Sequence, residues 1–143
     1  MVLAAAVGLI AVVAVVSVIV GATREAVELD RATPSGVVQA YLAAVAGSDL
    51  AEAAEYLAAD SSCGVDELAR AYVPEPLQAE LVSDSVAGDT AVVTVSITEG
   101  TGVGLFEPSG YSRTERFVLT RQADGWRLTG TPWPMYECGG RFR

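Results

Sequence analysis

Chemically reactive side chains are scarce in this chain, because its 143 residues include no histidine and only two cysteines, Cys63 and Cys138. The commonest general base and zinc ligand is therefore missing, and two thiols without histidine make a poor zinc site. A nucleophilic cysteine would also need a cationic neighbour to form its thiolate. We predict no catalytic residue, metal site or cofactor, and expect Cys63 and Cys138 to form a disulfide; two buried free thiols are the alternative.

Four side chains are candidates for lining a pocket. Tyr41 and Tyr56 fall on predicted helices, Asp60 follows the second of these helices, and Trp126 begins the last predicted strand. An aspartate beside a tyrosine can serve acid–base chemistry, but nothing in this spacing selects these residues. Tyrosines on amphipathic helices also pack in cores. A small-ligand pocket, or a concealed isomerase or cyclase site, would depend on these four side chains.

Arginine and aromatic side chains form a second set of candidates, for contact with a protein partner. Arg113 and Arg116 belong to one predicted strand, where ion pairs on a solvated face are the simpler interpretation. Trp133 and Tyr136 lie between prolines and Cys138 in an irregular tail. Such aromatic residues either cover a core or bind a partner. We predict that the tail covers the core, and name the two arginines and two aromatic residues as a possible interface.

All charged side chains follow residue 21 and sum to −9, with nine arginines and no lysine. An acidic domain lacks the basic patch that phosphate binding requires, so we exclude a nucleic-acid partner. The same charge opposes a domain that lies flat on anionic lipid. Solubility is the simplest reason for the acidic surface.

An uncharged apolar segment, Val2–Gly21, precedes the first charged residue, Arg24. At about 1.5 Å per residue, a helix of this length spans the roughly 30 Å of a bilayer core. We predict a transmembrane anchor at 1–22 and a linker or stalk at 23–32. A cleaved signal peptide is the alternative, although its apolar region would be shorter. A lipoprotein is not expected, because no cysteine follows the segment before Cys63.

Two opposing signals bear on the orientation of this anchor. Arginine after the segment and none before it would keep the following domain in the cytoplasm. A disulfide, however, persists only in an oxidising compartment. We give the disulfide more weight, and predict a single-pass protein of the cell membrane with an extracytoplasmic domain at 33–143.

The spacing of apolar residues predicts helices first and strands afterwards. Thr33 is expected to cap a helix that Gly47 ends, and Asp49 with Glu52 resembles a capping box for a second helix. A short third helix follows from Val65. The period then changes to two, which predicts antiparallel strands at 78–86, 91–98, 111–122 and 126–130. Helices followed by a meander indicate an α+β domain with helices on one face of a curved sheet.

Two stretches, 35–58 in the helices and 115–130 in the last hairpin, resemble NTF2-like domains, the SnoaL-like or cystatin-like α+β cone. The matching residues are Val38, Tyr41, Leu42, Asp49, Ala53, Phe117, Gly125 and Trp126. Small membrane-anchored or secreted versions from actinobacteria are the most similar. The resemblance covers Thr33 to Thr131 and implies three helices packed on a curved antiparallel sheet. Its residues are packing positions, so it implies a fold rather than an activity.

Together these features predict a membrane-anchored extracytoplasmic module that acts by binding, as a non-catalytic accessory component of a bacterial cell-envelope complex. The membrane would be reached through Val2–Gly21, and the partner would be an envelope protein. The alternative is a small apolar ligand or lipid in the cone. A deep apolar cavity with a lone carboxylate would favour the ligand, whereas an interior filled by the domain's own side chains would favour the interaction module.

Overall fold

The computed structural model describes residues 17–18, 27–100, 110–136 and 138. Its helices are α1 (Pro34–Ala46), α2 (Leu50–Glu55) and α3 (Val65–Arg70). Its strands are β1 (Ser17–Val18), β2 (Leu77–Ala87), β3 (Thr90–Glu99), β4 (Tyr111–Gln122) and β5 (Gly125–Thr129). Three helices followed by four long strands agree with the predicted α+β class.

Capping side chains determine where α1 and α2 begin. Thr33 Oγ1 accepts a hydrogen bond from Gly36 N at 3.1 Å, and Asp49 Oδ1 accepts one from Glu52 N at 3.0 Å. These bonds satisfy backbone N–H groups that a helix N-terminus leaves free. The Glu52 carboxylate does not complete the predicted capping box, because it accepts a hydrogen bond from the Tyr56 hydroxyl at 3.2 Å instead.

The four long strands form one antiparallel sheet in the order β2-β3-β4-β5, and β1 lies beside β2. Tight turns join β2 to β3 and β4 to β5, with Gly88 at φ 61° in the first and Gly125 at φ 123° after the second. Glycine takes these angles without steric cost. The β2–β3 register shifts between Leu81 and Ser83, and a bulge of this kind bends a strand. Helix α1 packs across β2, β3 and β5.

Side chains that alternate along the strands fill the space beneath α1. The Tyr41 and Phe117 rings meet edge to face, with centroids 6.2 Å apart. The largest fully buried side chains are Trp133, Tyr41, Phe117, Ile97, Leu119, Leu128, Val38, Val45 and Val93. Trp133 belongs to the tail after β5, so the tail does cover the core as predicted.

The residues before α1 lie along that helix. The Gln39 side-chain amide donates to Val27 O at 2.6 Å and accepts from Leu29 N at 2.7 Å. Gly36 is required at this contact, since a β-carbon there would overlap the Asp30 carbonyl group. The last residues of the predicted linker therefore contact the domain.

Most of the predicted anchor, 1–22, lies outside the described residues. Ser17 and Val18, which are described, form β1, where Ser17 pairs with Glu80 and Val18 with Ala79. The predicted helix is wrong at these two positions, where the backbone is extended. The N–H and C=O groups along the edge of β2 form hydrogen bonds with an extended segment. In the described part of the chain, no helix is long and apolar enough to cross a membrane.

Candidate functional site

Polar side chains interrupt the apolar inner face of the sheet where β3 ends and β4 begins. Alternate residues of a strand share a face, so Glu99 on β3 and Arg113 and Glu115 on β4 continue the inward-facing series of their strands. Trp133 and Tyr136, from the tail after β5, lie against Arg113. These five residues are called the Arg113 cluster below.

Arg113 is held between two carboxylates. Its Nη2 atom lies 2.6 Å from Glu99 Oε1, and its Nε atom lies 3.3 Å from Glu115 Oε1. The three side chains are only 18% to 32% exposed, so water screens these charges less than it screens those of a surface ion pair. Two carboxylates facing one guanidinium leave the group with a net negative charge.

Aromatic rings lie next to the guanidinium group. The Arg113 Cζ atom is 5.9 Å from the centroid of the Trp133 ring and 5.8 Å from that of the Tyr136 ring, within the range of cation–π attraction. Trp133 is 2% exposed and Tyr136 is 54% exposed. Below them, the Tyr41 hydroxyl donates to Trp133 O at 3.0 Å. The Arg113 cluster therefore extends from the core to the surface.

Three buried polar atoms of this cluster have no hydrogen-bond partner in the described part of the chain: Glu99 Oε1, Arg113 Nε and Trp133 Nε1. Glu99 Oε1 and Arg113 Nε nevertheless each face an opposite charge in the two ion pairs described above. No other buried side-chain nitrogen or oxygen of the described residues is without a partner. Because such atoms are rare in native proteins, their concentration makes this cluster the candidate site.

The Tyr136 phenol is tied to the cluster through Glu115, to which it donates a hydrogen bond at 2.6 Å. Partial burial, with the hydrogen bond to the Glu115 carboxylate, raises the pKa of Tyr136 to about 12, although the nearby Arg113 lowers it. Burial also raises the pKa of Tyr41. Tyr136 therefore stays a neutral donor at any physiological pH.

A titration at alkaline pH is expected to show that the Tyr136 phenol ionises at a higher pH than an ordinary tyrosine. Its proton leaves near the ordinary pKa of 10.0 in the unfolded chain and near 12 in the folded chain. Because the folded state holds the proton more tightly, the resulting stabilisation is complete below about pH 10 and is lost as the pH rises through about 12. Ultraviolet absorbance titrations of the wild type and of Tyr136→Phe should differ by one phenol ionising near pH 12. A difference centred near pH 10 would contradict the assignment.

The predicted disulfide is confirmed, and it fastens the tail that supplies Trp133. Cys63 and Cys138, which are 75 positions apart in sequence, are bonded, with Cα atoms 5.0 Å apart. Ser62 Oγ also donates to Cys138 O at 3.3 Å. The loop between α2 and α3 is thus linked to the segment that closes the Arg113 cluster.

The four residues predicted to line a pocket are dispersed. Tyr41 is fully buried in the core, and Trp126 is buried under Arg121, whose Cζ lies 4.6 Å from its ring centroid. The Tyr56 hydroxyl lies beside α2, and Asp60 is exposed in the loop after α2. None of the described cavities is lined by two of these residues. The structure does not bring them together as a site.

A small cavity lies between α1 and the sheet, lined mainly by Leu29, Val38, Leu42, Leu81 and Val95, with a volume of about 20 Å³. This is room for about one water molecule, whereas small-molecule pockets need at least about 300 Å³. A larger open groove of about 590 Å³ lies on the surface at the C-terminal end of α1.

Three of the four predicted interface residues meet in the Arg113 cluster, and Arg116 does not. Arg116 is an odd number of positions from Arg113, so it is exposed on the outer face of the sheet. Sequence reasoning placed Glu115 on the same strand as Arg113 but did not include it among the interface residues, although their spacing indicates a shared face. It did not identify Glu99, whose proximity to Arg113 depends on the register between β3 and β4.

The side chains of the Arg113 cluster offer charged, aromatic and hydrogen-bonding groups. Its partly shielded charges, aromatic rings and unpartnered polar atoms are suited to hydrogen bonding and to packing against another molecule. Among the residues that the structure describes, no group of three His, Cys, Asp or Glu side chains is arranged to hold a metal ion.

Comparison with known proteins relates the chain to two kinds of domain. A family model described as lipoprotein LpqB, N-terminal domain, matches residues 29–137, which include the whole Arg113 cluster. A similar solved structure is a putative calcium/calmodulin-dependent protein kinase type II association domain from Thiobacillus denitrificans. It is 20% identical with a TM-score of 0.52, over 68% of this chain and 90% of that chain. No curated protein matches.

Likeness at this level of identity concerns the fold alone. The likeness supports the α+β fold, with helices on one face of an antiparallel sheet. It carries no information on a ligand or an activity.

Proposed function

Since the chain belongs to the family of lipoprotein LpqB N-terminal domains, we propose that it is a membrane-attached, extracytoplasmic accessory domain of a cell-envelope complex. It acts by binding another protein and is not an enzyme. The single observation that carries the binding role is the Arg113 cluster, where partly shielded charges and an exposed tyrosine ring lie at the surface above buried polar atoms.

Attachment to the membrane rests on the apolar segment. Val2–Gly21 has the length and composition of a single membrane span. Crossing the membrane requires Ser17 and Val18 to leave their pairing with β2. The family is named after a lipoprotein, yet this sequence has no cysteine directly after the segment that would carry a lipid. Cys63, the first cysteine, is occupied by the disulfide. We therefore assign the attachment to the segment itself rather than to a lipid.

An extracytoplasmic location is supported by the Cys63–Cys138 bond, because structural disulfides persist in oxidising compartments. The bond also bears on function. It holds the tail whose Trp133 and Tyr136 complete the Arg113 cluster. A reducing cytoplasm would weaken the very surface that we assign to partner binding.

The composition of the surface around the Arg113 cluster resembles that of protein interfaces, where tyrosine, tryptophan and arginine are enriched. Tyr111 is 69% exposed and Tyr136 is 54% exposed. Tyr111 lies two positions before Arg113 on β4, and so on the same face. The alternative of a small apolar ligand inside the cone is disfavoured by the 20 Å³ cavity.

Membrane attachment and orientation are tested with the full chain in cells. We expect the protein to stay in the membrane fraction after a carbonate wash, and a C-terminal reporter that is active only outside the cytoplasm to be active. Replacing Ile10 and Val13 with arginine should release the protein from the membrane, since a charge at the centre of a span costs about 3 kcal/mol. Cytoplasmic reporter activity would contradict the orientation.

Partner binding is tested by site-specific photocrosslinking in the same cells. A benzophenone side chain at Tyr111 or Tyr136 should give one common crosslinked protein, identified by mass spectrometry. Val86 is the matched control, because it is 55% exposed but lies at the opposite end of the sheet. Equal crosslinking at Val86, or none at either tyrosine, would exclude the Arg113 cluster as the interface.

A further inference from the structure

We propose that the open groove at the C-terminal end of α1 binds a basic segment of the partner protein, whose positively charged side chain lies in the groove. This inference deepens the proposed function, on which it rests, by naming the chemistry of the partner. The groove, called the α1 groove below, has a volume of about 590 Å³. Clefts that hold ligands have volumes of roughly 300–1,000 Å³. The lining comes from the last turn of α1 and the residues leading into β2, mainly Ala43, Ala46, Pro74, Glu75 and Leu77.

The lining of the α1 groove combines apolar side chains with a single carboxylate. Pro74 and Leu77 are buried and form its inner wall, whereas Glu75 is exposed to solvent. A long basic side chain has the matching composition, because it carries a charged group at the end of an apolar stem. Such a side chain can pack its methylene groups against the apolar wall while its charge meets Glu75.

The end of α1 adds to the negative charge of the groove. The last carbonyl groups of a helix lack helical partners and carry a partial negative charge. No basic residue lies in the last turn of α1 to offset it. Among the described residues, Glu75 forms no ion pair and no arginine lines the groove. A cation is therefore attracted to the α1 groove and an anion is repelled.

The α1 groove adjoins the surface that we assign to partner binding. Leu77 at the start of β2 pairs with Glu99 at the end of β3, and Glu99 pairs with Tyr111 at the start of β4. Neighbouring strands lie about 4.8 Å apart, so the backbones of Leu77 and Tyr111 are separated by about 10 Å. An extended segment of about four residues spans this distance. One segment of the partner can therefore contact both the groove and the Arg113 cluster.

Other occupants suit the α1 groove less well. A second copy of this chain also carries a net charge of −9, so its approach to an acidic groove is opposed by like charge. A small molecule is usually enclosed by its pocket over most of its surface, whereas this groove is open along the protein surface. A basic segment of a different protein meets both conditions, because it brings the opposite charge and continues beyond the groove.

The test follows the backbone amide resonances of Gly47 and Leu77 in the full chain, labelled with nitrogen-15 in micelles of an uncharged detergent. The probe is N-acetylarginine N-methylamide. We expect saturable shifts with a dissociation constant of about millimolar, as befits so small a ligand, and no shift of Gly88 in the distant β2–β3 turn. Salt at about 1 M should weaken binding, because it shortens the Debye length to about 3 Å.

Matched probes separate a cation from a neutral side chain of the same shape. N-acetylcitrulline N-methylamide replaces the guanidinium with an uncharged urea group and should bind about threefold more weakly. N-acetylglutamate N-methylamide, an anion, should give no saturable shift. Equal affinities for the arginine and citrulline probes would overturn the proposal, as would the absence of a saturable shift with the arginine probe.

Variants connect the response to the groove. Glu75→Gln removes the charge while keeping the side-chain shape, and should weaken the arginine probe about threefold. Glu80→Gln is the matched control, because Glu80 is also exposed on β2 but lies on the opposite face from Leu77. Ala43→Arg places a guanidinium of the chain itself beside the groove and should abolish probe binding. It should leave the fold intact, since Ala43 is exposed and arginine favours helices.

Two results with these variants would contradict the inference. Unchanged probe affinity in either Glu75→Gln or Ala43→Arg would show that the probe binds elsewhere. An equal loss of affinity in Glu80→Gln would show a general effect of net charge rather than recognition by the groove.

Photocrosslinking in cells extends the test to the natural partner. A benzophenone side chain at Ala43 should capture the same protein as the one captured from Tyr111 and Tyr136. Glu75→Arg should lower that yield several-fold, and Glu80→Arg should not. Capture of a second copy of this chain from Ala43 would overturn the assignment of the groove to a basic partner.

Failure of this inference is distinguishable from failure of the proposed function. Crosslinking from Tyr111 and Tyr136, with none from Ala43 and no response to the arginine probe, would leave partner binding in place and remove the basic segment. A response to the probe without crosslinking from any of these positions would keep the cation preference of the groove and remove the proposed function.

Discussion

Replacing Trp133 with alanine is expected to lower the free energy of unfolding by about 3–5 kcal/mol, the usual cost of removing a buried large aromatic side chain. Trp133 is 2% exposed and is the largest of the fully buried side chains. Its removal leaves a cavity in the core and takes one aromatic ring away from Arg113, so that the guanidinium and its carboxylates become more hydrated. Stability and the geometry of the Arg113 cluster should therefore be lost together.

Urea unfolding of the full chain in mild detergent, followed by far-ultraviolet circular dichroism, measures this effect. Tyr111→Ala is the control, because Tyr111 is 69% exposed and its replacement should change stability by no more than about 0.5 kcal/mol. A loss below about 1 kcal/mol for Trp133→Ala would show that the tail contributes little to the core. In the folded fraction of Trp133→Ala, crosslinking from Tyr136 should also decline.

Loss of the Cys63–Cys138 bond is expected to cost up to about 4 kcal/mol, the entropy that a crosslink of this span removes from the unfolded chain. The bond joins residues 75 positions apart and holds the tail to the loop before α3. Without it, the tail depends on the packing of Trp133 and Met135 and on the hydrogen bond from Tyr41. We expect Cys63→Ser to lower the urea midpoint strongly and to raise the slope, because the unfolded chain exposes more surface without the crosslink.

Two comparisons test the origin of that loss. The wild type unfolded in the presence of dithiothreitol should match the Cys63→Ser, Cys138→Ser double variant, since both lack the same crosslink. Labelling with a thiol reagent should detect no free thiol in the native, unreduced protein. Labelling of both cysteines before reduction would remove the disulfide, and with it the strongest structural support for an extracytoplasmic domain.

The local structure of this domain was largely predictable. Helix α1 begins at Pro34 because Thr33 caps it, and the strands appear where apolar residues alternate, because backbone hydrogen bonds and side-chain burial impose those periods locally. The disulfide was predictable by a different argument: in a chain without histidine, two cysteines are poorly suited to form a zinc site or a catalytic nucleophile. The placement of Arg113 and Arg116 on opposite faces of β4 was also predictable, because side chains alternate between the two faces along a strand.

Sequence by itself therefore determined the α+β class, the order of the elements, the cysteine pair and the absence of histidine chemistry. Only the tertiary structure decided which polar residues meet. Glu99 reaches Arg113 through the pairing of β3 with β4, and Trp133 reaches it because an irregular tail without periodicity folds back over the core. Such contacts depend on register, packing and a covalent link between distant segments, and none of these leaves a local pattern in the sequence. Sequence reasoning named Arg113, Trp133 and Tyr136 as possible interface residues, but only the folded molecule showed that they meet, and that Glu99 and Glu115 join them.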